Sequence, residues 1–183
     1  MTVTIGINGF GRIGRCTLAH IAEAARNDVQ VVRINATGPI ETNAHLLKYD
    51  SVHGRFGGPV KVAGNTLDLG RGPIDVMSTY DPEELDWDGV DVVLECTGKF
   101  LSPETLQGHL ARGAKRVIVA APVKFDSVLN VVVGVNDSLY DPARHPIVTA
   151  ASCTTNCLAP VVKVVHEAIG IRHGQITTIH DPT

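Results

Sequence analysis

Short runs rich in Val, Ile and Leu recur along this sequence, and helix-forming stretches separate them. Val3–Asn8, Val29–Asn35, Val90–Glu95, Lys115–Ala120, Asn130–Val135 and Pro146–Thr149 are the runs. Val/Ile-rich runs alternating with helices read as strands of a parallel sheet covered on both faces. Helical patterns lie between several of them: residues 12–26, with Ile13, Leu18, Ile21, Ala22 and Ala25 roughly on one face, and residues 42–49. Another helix opens at Ser102-Pro103, a good N-cap followed by the residue favoured at the first helical position. Alternation of this kind predicts an α/β fold, a Rossmann-type doubly wound and mainly parallel sheet. A Gly64-Asn65 turn between Val60 and Leu69 predicts a hairpin. A long helix over 153–169 and a strand over 175–180 follow. The strand signals of the first sheet end near residue 151, so the expected division is a first domain over 1–151 and the start of a second over 152–183.

The remaining bulk properties exclude several classes. The 183 residues carry a net charge of −3 with no Lys/Arg-rich run, so neither nucleic acid nor a membrane surface is an expected partner. Aromatic residues make up 4%, too few for base-stacking platforms. No apolar run approaches the roughly 18 residues of a spanning helix, and the N-terminus lacks the pattern of a signal peptide. The four cysteines, Cys16, Cys96, Cys153 and Cys157, show no Cys-x-x-Cys and no zinc-type spacing with histidine. A reducing, cytoplasmic setting without disulfides or metal is the expectation.

Gly9-x-Gly11-x-x-Gly14 follows the first run directly and opens the first helix. In that context the first glycine permits a tight turn, the second lets a pyrophosphate approach the backbone, and the third lets helix and strand pack closely. The helix N-terminus then favours the phosphates. An acidic residue about 20 positions on would accept the ribose hydroxyls. Here the second strand ends Arg33-Ile34-Asn35, and Ala36 follows. Two readings stay open. NADP is tolerated or preferred, with Arg33 or Thr37 helping to hold its phosphate, or Asn35 supplies the ribose contact and NAD is used.

Ala151-Ser-Cys-Thr-Thr-Asn156 precedes the long helix. Ser152 as N-cap places Cys153 in the first turn, where the helix N-terminus stabilises a thiolate able to attack a carbonyl. Ser152, Thr154 and Thr155 bring hydroxyls suited to an anion. Cys157, one turn on, reads as a small buried filler, and Cys16 and Cys96 as packing residues. His180, at the end of the last expected strand, is the candidate base. Its spacing from Cys153 does not by itself bring the two together. The other histidines read as surface or satisfied residues.

The chain resembles phosphorylating glyceraldehyde-3-phosphate dehydrogenases along its length. The resemblance is carried by Ile7-Asn-Gly-Phe-Gly-Arg-Ile-Gly-Arg15, Tyr49-Asp-Ser-Val-His-Gly54, Glu95-Cys-Thr-Gly-Lys-Phe100, Gly134-Val-Asn136, Ala151-Ser-Cys-Thr-Thr-Asn-Cys-Leu-Ala-Pro160 and Thr177-Thr-Ile-His180. It implies that Cys153 is the nucleophile and His180 the base, with Ser152, Thr154 and Thr183 binding substrate or inorganic phosphate. For the cofactor, NAD or NADP, it implies contacts from the loop residues Asn8, Gly9, Gly11, Arg12, Ile13 and Gly14. Asn35, Ala36, Tyr80, Thr97, Gly98 and Ala120 would line the rest of the cleft. Glyceraldehyde 3-phosphate is the implied substrate and a homotetramer the implied assembly of the full-length protein.

The sequence also departs from the family pattern. Ala36 stands where Asp is usual, Tyr80 where Arg is usual, and Ala120 and Val123 where hydroxyl residues are common. Asp181-Pro182 precedes Thr183 in place of the usual residues. These changes bear on cofactor and substrate preference and admit an arsenate-linked or erythrose-4-phosphate dehydrogenase. A dinucleotide-binding fragment without turnover is the further alternative, because the resemblance reaches only the first helix and strand of the catalytic domain. Those two elements would then expose apolar faces.

Overall fold

The computed structural model describes residues 2–180. Among the described residues eleven strands and four α-helices follow one another. They are β1 (Val3–Asn8), α1 (Arg12–Glu23), β2 (Val29–Asn35), α2 (Ile40–Lys48), β3 (Tyr49–Asp50), β4 (Gly54–Arg55), β5 (Lys61–Ala63), β6 (Thr66–Asp68), β7 (Pro73–Met77), β8 (Val92–Glu95), α3 (Pro103–Ala111), β9 (Arg116–Val119), β10 (Leu129–Asn130), β11 (Ile147–Thr149) and α4 (Cys153–Ile169). Nine strands form one sheet in the order β10-β11-β9-β8-β1-β2-β7-β6-β5, and β3 pairs only with β4. The pairings from β10 to β7 are parallel, and the β5–β6–β7 edge is antiparallel. This is the expected doubly wound architecture.

Burial explains why the apolar runs fold as they do. Residues 5–8 of β1 are all buried, as a central parallel strand covered on both faces requires. Ile5, Ile7, Leu18, Ile34 and Leu47 join α1 and α2 to the sheet in one core cluster. Leu106, Val117, Val119 and Ile147 build a second, and Trp87, Val90 and Val93 a third. Each fully buried side chain of this size stabilises the fold by about 1.5–3 kcal/mol.

Several expected boundaries move. Helix α1 stops at Glu23, not at residue 26, because Ala25 turns into the left-handed region at φ 48°. Its Ile13 is 55% exposed and does not join the apolar face. Helix α2 starts earlier, at Ile40 behind Pro39, and ends where Tyr49 goes extended into β3. The hairpin around Gly64-Asn65 forms as β5 and β6.

The expected strand over 130–135 shrinks to Leu129–Asn130. Asn136 Oδ1 accepts the Val132 N–H at 2.7 Å and the Val135 N–H bonds back to the Val132 carbonyl at 3.0 Å, closing a turn instead. The expected strand over 175–180 is absent, and that segment has no strand beside it among the described residues. Strand β7 lay outside the sequence reading.

Helix α4 matches its expected bounds and buries no residue. Val161, Val164 and Ile169 are 60–83% exposed. Cys157 is exposed as well, not a buried filler, because nothing covers that face of α4 in the described residues. No described helix is long and apolar enough to cross a membrane.

Candidate functional site

The carboxyl ends of β1, β2 and β8 meet at one edge of the sheet, where the strand order runs from β1 to β2 on one side and from β8 to β9 on the other. Clefts for ligands form at such a switch point. The chain leaves β1 through Gly9 at φ +91°, and a Cβ there would stand 2.7 Å from the Thr97 backbone nitrogen. A Cβ on Gly14 would stand 2.3 Å from the Gly9 carbonyl oxygen, so α1 can lie this close to the loop only with glycine. Gly11 differs: a Cβ there meets nothing within 4 Å.

That open space lies at the N-terminus of α1, which has no side-chain cap and no acidic residue in its first turn. The first-turn N–H groups, including those of Arg12 and Ile13, have no intrahelical partners. A bare, uncrowded helix start of this kind fits a pyrophosphate.

The cleft beside it has a volume of about 420 Å³ and brings together Asn8, Gly9, Gly11, Asn35, Tyr80 and Thr97 from the expected set. That size lies within the range of small-molecule sites. Thr37 and Lys99 line it too, and Lys99 adds a cation that the sequence reading did not single out. Tyr80 is 77% exposed along the wall.

Six positions of the expected set do not line this cleft: Arg12, Ile13 and Gly14, which belong to α1 beside it, and Ala36, Gly98 and Ala120. Ala36 is buried behind it, its N–H bonded to the Met77 carbonyl at 2.9 Å. Ala120 donates its N–H to the Glu95 carbonyl at 2.9 Å. Gly98 is exposed at φ +68°.

Below the cleft runs a buried polar ladder that sequence reasoning missed. Asn35, Asn8 and Glu95 are register partners on three adjacent parallel strands. Asn35 Nδ2 donates to Asn8 Oδ1 at 2.8 Å, and Asn8 Nδ2 donates to Glu95 Oε2 at 2.6 Å. Glu95 Oε1 accepts from the Thr97 N–H at 2.7 Å and from the Thr97 hydroxyl. His109 Nε2 lies 3.0 Å from Glu95 Oε2, and Trp87 Nε1 donates to His109 Nδ1 at 3.0 Å. An indole N–H only donates, so His109 Nδ1 accepts and the ring proton sits on Nε2. Glu95 and His109 are each 1% exposed, and the ladder satisfies both. The readable signal was the carboxylate ending the apolar run of β8.

The ladder also constrains cofactor choice. Both donors of the Asn35 amide are used, on Asn8 and on the Thr79 carbonyl, and its oxygen accepts the Thr79 N–H. This amide has no donor left for a ribose. Arg33 is held by Asp86, at 2.9 Å to the carboxylate and 2.9 Å to the carbonyl, with Asp75 at 3.9 Å. It does not enter the cleft.

The second cluster of candidates lies on the same edge of the sheet, after β11. Ala151 is buried and takes φ +56°, a strained turn for a residue with a Cβ, and swings the chain from the sheet into α4. Ser152 caps the helix as expected, its Oγ accepting the Thr155 N–H at 3.0 Å. Asn156 Nδ2 fastens the turn through the Ala150 and Ser152 carbonyls at 2.6 and 2.9 Å. Cys153 is therefore the first helical residue, with its thiol exposed. The Thr154 and Thr155 hydroxyls lie 3.1 and 2.7 Å from Ser152 Oγ.

Cys96 at the cleft contrasts with Cys153: burial, with help from the Glu95 carboxylate, pushes its thiol up to about 12. His180 is exposed, and no hydrogen bond joins it to Cys153 among the described residues. The structure does not join the expected nucleophile to the expected base. Thr183 lies outside the described residues.

Comparison with known proteins places this arrangement. Residues 3–103 match the family model described as glyceraldehyde 3-phosphate dehydrogenase, NAD binding domain. Residues 152–183 match the model of that family's C-terminal domain. The chain is 56% identical over 182 residues to a glyceraldehyde-3-phosphate dehydrogenase of Xanthobacter flavus, covering 98% of this chain and 54% of that one. It is 52% identical over 183 residues to that of Cereibacter sphaeroides, covering 100% of this chain and 54% of the relative. With the enzyme of Geobacillus stearothermophilus it shares 49% identity over an alignment of 185 positions, with coverage of 100% and 54%. The chain thus spans about half the length of the curated relatives it matches. A glycine loop shaped for a pyrophosphate, on the domain these matches cover, leads to one conclusion: the chain belongs to the glyceraldehyde 3-phosphate dehydrogenase family.

Proposed function

We propose that this chain carries the cofactor site and the nucleophile of a phosphorylating aldehyde dehydrogenase acting on glyceraldehyde 3-phosphate. Residues 1–151 serve as the dinucleotide-binding domain and 152–183 as the beginning of the catalytic domain. The observation that carries the reading is the exposed Cys153 thiol at the capped N-terminus of α4, on the same sheet edge as the glycine loop.

The chemistry follows from those groups. The Cys153 thiolate adds to the aldehyde carbon and forms a hemithioacetal. His180 takes the hydroxyl proton. The bound dinucleotide, NAD or NADP, supplies the hydride acceptor. Inorganic phosphate then attacks the resulting thioester, and the Cys153 sulfur leaves as the acyl phosphate forms. Ser152, Thr154 and Thr183 hold the phosphate groups. The α1 N-terminus and Gly11 hold the cofactor pyrophosphate.

No carboxylate at position 36 repels a 2′-phosphate, and Arg33 is committed elsewhere. NAD and NADP are therefore used with KM values within about tenfold of each other, because neither charge device of the fingerprint is present. The full-length protein works in the cytoplasm as a homotetramer.

A second reading rests on the exposed His180, which no hydrogen bond joins to Cys153 among the described residues. In that reading the 183-residue chain binds the dinucleotide without turnover. One assay separates the two. The chain is mixed with glyceraldehyde 3-phosphate, phosphate and NAD or NADP, and the reduced cofactor is followed by absorbance. Turnover that Cys153→Ser abolishes supports the dehydrogenase, whereas cofactor binding without turnover supports the second reading.

A further inference from the structure

Away from the cleft, Cys16 on α1, Asp50 at the end of β3 and His53 in the turn before β4 converge. Cys16 Sγ lies 3.7 Å from His53 Nδ1, and the same Nδ1 lies 3.2 Å from Asp50 Oδ1. One ligand atom from each residue lies within 4.8 Å of the other two.

Both contacts use one imidazole nitrogen. A thiol–imidazole–carboxylate relay needs the two opposite ring nitrogens, one for each partner. Three donors gathered about one point is the arrangement of ligands around a cation. The separations fit that reading. Tetrahedral bonds of about 2.3 Å to sulfur and about 2.0–2.1 Å to nitrogen and oxygen place S and N about 3.6 Å apart and N and O about 3.3 Å apart.

The surroundings fit as well. Asp50 is held in place because its Oδ1 accepts the Val52 and His53 N–H groups at 2.8 Å each. Its other oxygen accepts no hydrogen bond among the described residues. A cavity of about 440 Å³ opens over the cluster, leaving room for a fourth ligand. His20 lines that cavity but stands outside the ligand set. The Arg15 guanidinium donates to the Phe10 carbonyl at 2.9 Å, and Arg15 and Arg12 are the cations that act on the Cys16 thiol.

We propose that Cys16, Asp50 and His53 form a binding site for a divalent cation of the zinc type, with water as fourth ligand. The sulfur–metal bond replaces the S–H bond, whose proton leaves to solvent, and no electron is transferred. The thiolate and carboxylate balance the charge of the dication. The ion clips α1 to the β3–β4 hairpin, a long-range link that the sequence spacing of cysteines and histidines does not reveal.

The test uses the full chain, stripped with a chelator, kept reduced with a phosphine, and titrated with Co(II). A Cys153→Ser/Cys157→Ser background removes the exposed competing thiols. One cobalt per chain is expected, with a thiolate-to-metal charge-transfer band in the near ultraviolet. Cys16→Ser abolishes the band. His53→Ala, which removes an exposed side chain, and Asp50→Asn, which keeps the turn acceptor, each weaken binding tenfold or more. A missing band in the background variant overturns the site. So does a band that persists in Cys16→Ser, or a His53→Ala titration that matches the parent's.

Discussion

Asn8 Nδ2 donates to Glu95 Oε2 at 2.6 Å, across the pairing of β1 with β8 and directly below the glycine loop. The two strands that flank the cofactor cleft are thus tied by side chains as well as by their backbones. The same oxygen faces His109, and the same carboxylate orients Thr97 on the cleft wall. A buried charge held by four donors is rigid, because each alternative position leaves a polar group unsatisfied.

His109→Ala is expected to lower stability by about 3–5 kcal/mol. It leaves both Glu95 Oε2 short of a donor and the Trp87 N–H without an acceptor in a site sealed from water. Urea unfolding measures the loss. A variant within about 0.5 kcal/mol of the parent would mean that the ladder contributes little.

Two glycines of one loop are expected to separate folding from binding. Gly14→Ala drives a methyl group against the Gly9 carbonyl and lowers the urea midpoint, despite the helix propensity that alanine adds. Gly11→Ala meets no atom of the protein and loses only the N-cap preference for glycine over alanine, so its unfolding free energy stays within about 1 kcal/mol of the parent. Its methyl group occupies the pyrophosphate approach and weakens NAD binding by about tenfold or more. Calorimetric titration with NAD reads the second effect separately from the first.

The four thiols are expected to label in order of exposure. Near neutral pH, iodoacetamide modifies the exposed Cys153 and Cys157 first. Cys16 follows slowly, since burial and then Asp50 push its thiol up. Cys96 is last, being buried and pushed up to about 12. Timed digestion and mass spectrometry give the order. Cys153 labelling no faster than Cys16 would remove the support for an activated nucleophile.

Asp91, immediately before β8, supplies an acid-sensitive tie to its sheet neighbour β1. Its carboxylate accepts from Lys115 Nζ at 2.7 Å, from the Thr4 N–H at 2.9 Å and from the Thr4 hydroxyl at 2.9 Å. Lys115 first, then the Thr4 donors, lower its pKa from 3.8 to about 2. A depressed folded-state value stabilises above the unfolded value and is lost as pH falls through the folded one. Asp91→Asn is therefore expected to be less stable than the parent at pH 7, with the two midpoints converging as pH falls from about 4 toward 2. Lys115 is exposed, so 1 M salt shrinks the difference.

The sequence disclosed the parts of the fold whose information is local. β8 and β9 emerge from the unbroken apolar runs Val92–Leu94 and Val117–Val119, and α4 is bracketed by Ser152 and Gly170. β7 stays hidden because Pro73 opens it and charged Asp75 interrupts it, and its pairing with β2 is a long-range choice. Residues 130–135 look like a strand in composition, yet the Asn136 side chain captures Val132 and folds the run into a turn. The glycine loop and the Ser152 cap were legible as motifs. The ladder was not, because Asn8, Asn35, Glu95 and His109 become neighbours only once the strand order is set. Cys16 and His53 meet for the same reason, through the docking of α1 beside the β3–β4 turn.

All nine strands of the large sheet find their partners between residues 3 and 149. A ribosome releasing this chain from its N-terminus completes the sheet, with the glycine loop upon it, before the helix that bears Cys153 has emerged. The place for the dinucleotide precedes the thiol in time as it does in sequence. A cofactor captured by the nascent sheet stabilises it by mass action while translation is still under way.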